Sequence, residues 1–314
     1  MTEIGTTDRE DKFSTPSVCT IILNYNNYSD TKKTLESALS LDYATNSIIL
    51  VENSSDPVII QKIREHFTNL DILENEKNMG YAGGNNRGMR EAISRGADYI
   101  FLLNNDVILE KDVLQKCVDC MEKAPDCAAC QPQIAYLENR DMTWSAGTQL
   151  FFGYLRLFLK GTKLQRDGIK EAPYGLVGCA ILFRKSAIEE IGLFDESLFL
   201  LHEESDWCIR AKKKKYSLLI ITDAVVYHKI SATIGLFSRT YVYYVGRNWL
   251  LVGKKNFHPI YYFYILTTEL LLRFPYYIWQ LTRTGRFHLI KYYLKGIKDG
   301  ISGISGEAMI TAIT

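Results

Sequence analysis

The stretch Tyr99-Ile-Phe-Leu-Leu-Asn-Asn-Asp106-Val107 decides how the chain is read. Apolar and aromatic residues run unbroken from Tyr99 to Leu103 and then meet Asn104, Asn105 and Asp106. A run without polar alternation suits a strand covered on both faces, as in a parallel sheet. Ligands of open α/β sheets bind just past the carboxyl ends of such strands. Asp106 therefore stands where a metal ion or a phosphate is expected. An Asn/Asp turn that merely closes a strand is the competing reading.

The neighbours repeat the pattern. Val18-Cys-Thr-Ile-Ile-Leu23 ends in Asn24-Tyr-Asn-Asn-Tyr28, and Ser47-Ile-Ile-Leu-Val51 ends in Glu52-Asn-Ser-Ser-Asp56-Pro57. Leu70 to Leu73 is followed by polar residues and then by Gly80-Tyr-Ala-Gly-Gly-Asn-Asn-Arg-Gly88, which opens a helix. Helical spacing separates these strands, which predicts an α/β fold with a doubly wound, mainly parallel sheet. Polar clusters at successive strand ends fit a nucleotide-binding domain. No Gly-x-Gly-x-x-Gly follows the first strand, which argues against a dinucleotide enzyme. Residues 131–175 read as loop-rich, Ala180 to Phe183 as a strand, and Leu218–Ile221 and Ala224–Tyr227 as two strand-like pieces closed by His228.

Composition sets bounds. Of 314 residues, 47% are hydrophobic and 23% charged, a globular balance with a formal net charge of +1 and no nucleic-acid signature. Residues 1–230 hold 27 Lys/Arg against 33 Asp/Glu, and residues 231–314 hold 10 against 3. A basic end on an acidic body suggests an anionic partner surface. The reading divides the chain into a loose tail (1–16), an α/β domain (17–230) and a helical, aromatic, basic region (231–314). Seven cysteines, an odd number, suit a reducing cytosol rather than a disulfide framework.

Glu203, Glu204 and Asp206 crowd the start of a predicted helix. Acids there interact favourably with the helix dipole, so a simple charge cluster is one reading. A general base is the other, because a carboxylate beside carboxylates has raised proton affinity.

Five motifs occur in order: Asn24-Tyr-Asn, Glu52-Asn-Ser-Ser-Asp56, Asn78-Met-Gly-Tyr-Ala-Gly-Gly-Asn-Asn-Arg-Gly88, Leu103-Asn-Asn-Asp106 and Glu203-Glu-Ser-Asp206. Together, over about residues 17–255, they resemble family 2 of the glycosyltransferases, inverting enzymes with a Rossmann-like GT-A fold, and most of all its rhamnosyltransferase-like branch. The resemblance implies a nucleoside-diphosphate-sugar donor, deoxythymidine- or uridine-linked. It implies that Asn24, Tyr25 and Glu52 hold base and ribose. Asn78, Gly80 and Asn85 would line the nucleotide and sugar, the glycines letting backbone approach the ligand. It assigns Asn104, Asn105 and Asp106 to the diphosphate and metal motif, Asp106 and His228 to Mn2+ or Mg2+, and Arg247 to a phosphate. Gly178 and Cys179 match the loop beneath the acceptor. Glu204 takes the position of the base, with Glu203 next and Asp206 positioning or structural.

The chain departs from the family pattern at Asn104, Glu52 and Glu204, each of which replaces an expected Asp. A carboxylate displaced by one methylene can cost on the order of 100-fold in rate. A weakly active or inactive nucleotide-sugar-binding scaffold is thus the alternative to a transferase acting in glycan assembly.

Two features stand apart. Cys117-x2-Cys120-x6-Cys127-x2-Cys130 has a zinc-like spacing, although buried thiols packing as small hydrophobes is the simpler reading. Pro259 to Leu281 is aromatic and apolar but interrupted by Glu269, Arg273 and Pro275, a poor membrane span. With Arg283, Arg286, Lys291, Lys295 and Lys298 it predicts amphipathic helices at the inner face of the cell membrane, suited to a lipid-linked acceptor. A helical cap or a homodimer interface is the alternative.

Overall fold

The computed structural model describes residues 15–230 and 238–309, so residues 1–14 of the expected tail lie outside the described residues. The first half alternates strictly: β1 (Val18–Asn24), α1 (Tyr28–Leu39), β2 (Asn46–Glu52), α2 (Pro57–His66), β3 (Asp71–Glu74), α3 (Gly80–Ser94), β4 (Tyr99–Asn104). Then come β5 (Val107–Leu109), α4 (Val113–Lys123), β6 (Cys127–Tyr136), β7 (Thr143–Ser145), the hairpin β8 (Thr148–Phe151) and β9 (Tyr154–Leu157), and β10 (Ile169–Glu171). β11 (Ala180–Arg184), α5 (Lys185–Ile191), α6 (Glu203–Lys213) and β12 (Ser217–His228) complete the sheet layer. The remaining helices are α7 (Arg239–Asn256), α8 (Pro259–Thr268), a π-helical turn (Glu269–Arg273), α9 (Phe274–Arg283) and α10 (Ile290–Ser302).

The large sheet runs β10-β12-β6-β11-β4-β1-β2-β3. β1 is parallel to β2 and β4, β2 to β3, and β12 to β6, while β11 is antiparallel to β4 and β6. This is the mixed, mainly parallel sheet expected. Register pairs Asn24 with Glu52 and Leu23 with Asn104, so the polar ends of three strands form one row. Separate apolar clusters fill the two faces.

The region read as loop-rich contains a long buried strand, β6. Gln131, Pro132 and Gln133 disguise it. Pro132 lies opposite Ile221, where the β12 register slips before Val225. A strand proline lacking its N–H is tolerated at such an irregularity. The same slip explains why one strand, β12, reads as two pieces.

The glycines of α3 serve packing. A Cβ on Gly88 would sit 2.6 Å from Ile21 Cγ2, and one on Gly84 2.5 Å from Leu23 Cδ1. Gly84 and Gly88 bring α3 onto β1. The clustered cysteines lie buried between α4 and β6, and burial pushes the Cys120 thiol to about 11, Cys127 to about 12 and Cys130 well up. Among the described residues no three His, Cys, Asp or Glu side chains are grouped to hold a metal ion. These side chains pack as small buried hydrophobes, and a zinc site receives no support.

Substituting Gly88→Ala should lower stability by roughly 1–3 kcal/mol through overpacking. Urea unfolding measures it, and an unchanged midpoint would mean that α3 can move off β1 freely.

Candidate active site

At the row of strand ends, Asn24 acts as a brace. Its Nδ2 donates to Glu52 Oε1 (2.8 Å), and its Oδ1 accepts from Thr31 Oγ1 (2.7 Å) and Asn105 Nδ2 (2.9 Å). Asn24 and Asn105, expected to touch the donor, are buried and tie β1, β2, α1 and the turn after β4 together. Tyr25 is exposed beside them. Glu52 is fully buried, yet its Oε2 has no hydrogen-bond partner. Burial raises its proton affinity, and Ser55 and then Asn24 offset part of that rise.

The loop before α3 is held by Asn53, which the sequence reading passed over inside its motif. Asn53 Nδ2 donates to Asn78 Oδ1 (2.8 Å) and Gly80 O (3.1 Å), and its Oδ1 accepts from Met79 N and Asn75 Nδ2. Gly80 has φ +70, and a Cβ there would meet Phe199 O at 2.3 Å. Its freedom serves the Phe199 backbone, whose carbonyl accepts from Tyr81 N (2.7 Å). Asn85 Nδ2 donates to Tyr81 O, while its Oδ1 is buried without a partner.

Pairing of His228 with Val107 brings the end of β12 beside Asp106. His228 Nε2 lies 3.1 Å from Asp106 Oδ1, both side chains being buried. That approach is not angled as a hydrogen bond, and Asp106 Oδ1, Asn104 Oδ1 and His228 Nδ1 have no hydrogen-bond partner. A carboxylate oxygen and an imidazole nitrogen converging without bonding suit a divalent cation as two of its ligands. Such ions commonly take their other ligands from substrate phosphates and water. The residues present fit that arrangement.

Across from them, α6 begins with Glu203 and Glu204. Burial, then the neighbouring Glu204, pushes the Glu203 carboxyl well above its usual range, and its Oε2 has no partner. Burial lifts Glu204 to about 7. Asp206 differs in kind. It accepts from Arg210 Nε (2.8 Å) and Asn256 Nδ2 (2.6 Å) and pairs with Lys255 (3.1 Å), locking α6 to α7. Tyr81, another residue the sequence reading missed, joins the two sides. Burial, then the neighbouring acidic groups with Glu203 and Glu204 first, holds its phenol protonated. Its hydroxyl donates to Gly178 O. Cys179 O accepts from Asn104 N (3.0 Å), so the expected acceptor loop is fixed to both motifs. The Cys179 thiol is itself kept protonated by burial, Asp106 and Glu204.

Arg247 corrects an expectation. It is fully buried, donating to Leu198 O (3.1 Å), Gly306 O (2.7 Å) and Asn248 Oδ1 (2.8 Å). A guanidinium so enclosed is a strut rather than a phosphate ligand. Asn248 Nδ2 lies within hydrogen-bonding distance of the carbonyls of Leu198 (2.8 Å), Leu200 (2.7 Å) and Leu201 (2.8 Å). The segment they hold has positive φ at Phe199, Leu201 and His202 and leads directly into Glu203. Burial pushes the His202 imidazole down to about 3, so it stays neutral.

A family model described as glycosyl transferase family 2 matches residues 19–192, ending before the α6 acids. The low-salt glycan biosynthesis hexosyltransferase Agl10 of Haloferax volcanii is 25% identical over 244 residues, 76% of this chain and 75% of its own length. The dTDP-rhamnosyl transferase RfbF of Shigella flexneri is 20% identical over 290 residues, 84% of this chain and 89% of its own. Among solved structures, the mannosyltransferase PcManGT of Pyrobaculum calidifontis, in complex with GDP-Man and Mn2+, aligns with a TM-score of 0.57 at 13% identity over 92% of this chain and 88% of that one. The shared architecture is GT-A.

Truncating Asn248→Ala takes the side-chain donor from the carbonyls of Leu200 and Leu201, just before Glu203. If the carboxylates shift by about 1 Å, kcat should fall on the order of 100-fold with donor KM changed far less. Arg247→Lys, which loses the planar fork, should also act on kcat. A rise confined to donor KM would return Arg247 to a phosphate role.

Proposed function

The chain belongs to glycosyl transferase family 2 and is a glycosyltransferase; we propose that it is a metal-dependent, inverting enzyme of glycan assembly. The observation that carries this reading is the pairing of two unlike carboxylate environments across Tyr81 and Cys179. Asp106 converges with His228 on one side, and Glu204 has a proton affinity near neutrality on the other.

In this reading the nucleoside diphosphate lies over the ends of β1, β2 and β4, with Tyr25 exposed there for the base and Glu52 buried beneath, its Oε2 unpartnered. Asp106 and His228 would hold Mn2+ or Mg2+, with Asn104 adding a dipole. When bound, the ion neutralises charge on the departing diphosphate. Glu204 accepts the proton of the acceptor hydroxyl. The oxygen bonds to the anomeric carbon as the bond from that carbon to the diphosphate breaks on the opposite face, and configuration inverts. Glu203, kept protonated by burial and by Glu204, adds no second charge.

The likeness to a dTDP-rhamnosyl transferase favours a deoxythymidine-linked rhamnose donor, with uridine-linked sugars second. The acceptor class is a hydroxyl of a glycan or a lipid-linked glycan. The replacements at Glu52, Asn104 and Glu204 keep a donor-binding scaffold as the competing reading.

Donor turnover with and without divalent cation tests the proposal. Glu204→Gln should lower kcat by roughly 100- to 10,000-fold while donor binding by thermal shift persists. Asp106→Ala should abolish the metal-dependent part of that shift. Full donor turnover in both variants would refute the site, and tight donor binding without turnover in the parent would establish the scaffold.

Glu204 must be unprotonated to act, so kcat/KM should rise as pH increases through about 7 and level off above it. A pH–rate profile flat from acid to neutral would remove Glu204 as base.

A further inference from the structure

From the exposed side chains and the charge around them, we infer that the outer face of α8 and α9, continued by the tip of the β8–β9 hairpin, docks on an anionic lipid bilayer. α8, the π turn and α9 form one rod, Pro259–Arg283, about 37 Å long at 1.5 Å per residue. Its exposed apolar side chains recur along one side: Ile260 (76% exposed), Phe263, Tyr264, Leu271 (68%), Tyr276 and Trp279. The opposite side, with Ile265, Thr268 and Leu281, is buried against the protein. The wide π turn keeps Glu269 inward while Leu270, Leu271 and Leu272 all face out.

The hairpin tip extends this surface. Gly153 has φ +77, and a Cβ there would meet Thr268 Oγ1 at 2.8 Å and the Tyr264 ring at 3.1 Å. The tip is therefore seated on the rod, and Phe151 and Phe152 beside it are exposed.

Charge selects the occupant. Between residues 257 and 306 the acids are Glu269 and Asp299. Both are buried, Glu269 paired with Arg273 and Asp299 with Lys295. Arg283, Lys291 and Lys298 are exposed, and the exposed acid nearest in sequence is Glu307, beyond α10, so this stretch presents mainly positive charge to solvent. A second copy would bring like charge against like charge, whereas an anionic leaflet attracts each cation and accepts aromatic rings at headgroup depth. No described helix is long and apolar enough to cross a membrane. The buried Glu269–Arg273 pair fixes which side of the rod faces the protein, and the rod lies along the surface. Trp249 donates to Gly153 O (2.7 Å), and its ring centroid lies 5.5 Å from that of His202, the residue before Glu203. Resting on the glycosyltransferase reading, this places the docked face close to where a lipid-carried acceptor hydroxyl would be needed.

Flotation of the full chain with phosphatidylglycerol–phosphatidylcholine vesicles, against phosphatidylcholine alone, tests the inference without requiring turnover, so it stands or falls separately from the catalytic reading. Binding is expected to the anionic vesicles only and to weaken with salt. Trp279→Glu with Phe152→Glu, and separately Arg283→Glu with Lys291→Glu, should each lower the partition roughly tenfold or more. All four sites are exposed, and an unchanged unfolding midpoint checks the fold of each variant. Absence of binding by the parent overturns the inference, as does binding untouched by both variants. A dimer in light scattering that Trp279→Glu dissociates, without vesicle binding, would assign the face to a second copy instead.

Discussion

The loop Leu198–His202 has little reason of its own to hold its shape. Positive φ at three non-glycine residues costs on the order of 1–3 kcal/mol each. The carboxamide of Asn248 and the guanidinium of Arg247 offset that cost by donating to the loop's carbonyls from a buried position, each such bond contributing about 1 kcal/mol. Both halves of the site rely on the result. The Phe199 carbonyl receives the first N–H groups of α3 and so fixes the loop before it, while His202 delivers Glu203 and Glu204 at the start of α6. A helix outside the sheet thus determines where the sheet's ligand edge and the acidic helix stand relative to one another.

The acidic groups of the site are separated by environment rather than by identity. Asp206, with cations and an amide around it, is a structural anchor. Glu203 and Glu204, one and two helix positions into α6, lack such partners, and burial drives their proton affinity upward. Asp106 faces an imidazole at 3.1 Å instead of a hydrogen-bond donor, which leaves its oxygen open to a cation. One electrostatic rule accounts for all of these: a charge bonded by the protein is spent on structure, and a charge left short of partners is available for chemistry.

Much of this was legible in the sequence because it is local. Apolar runs ending in Asn24, Glu52 and Asn104 reveal parallel strands, and parallel register then forces those ends into a row. β6 was hidden because Gln131, Pro132 and Gln133 break its apolar run, and only the slip in its partner β12 makes that proline harmless. Motifs mark Asn24, Asn105, Gly80 and Arg247 as important positions, but a motif gives a place and not the direction of a side chain, which for Arg247 is toward protein carbonyls. Tyr81 and Asn53 sat inside quoted motifs with no local signal. The role of Asn248 depends on carbonyls some fifty positions earlier, a separation across which no periodicity carries information.

The same distinction bears on the carboxyl-terminal helices. Hydropathy alone reads Glu269 and Arg273 as flaws in an apolar segment. In three dimensions they are its orienting device: the ion pair at 3.0 Å, with the Tyr293 hydroxyl donating to Glu269, ties this side of the rod to α10. Breaking such a pair by removing one partner strands a buried charge, which costs about 3–5 kcal/mol. The rod is therefore fixed in rotation, and the side opposite the pair must carry Ile260, Phe263, Leu271 and Trp279 outward. Their exposure follows from where the charges are buried.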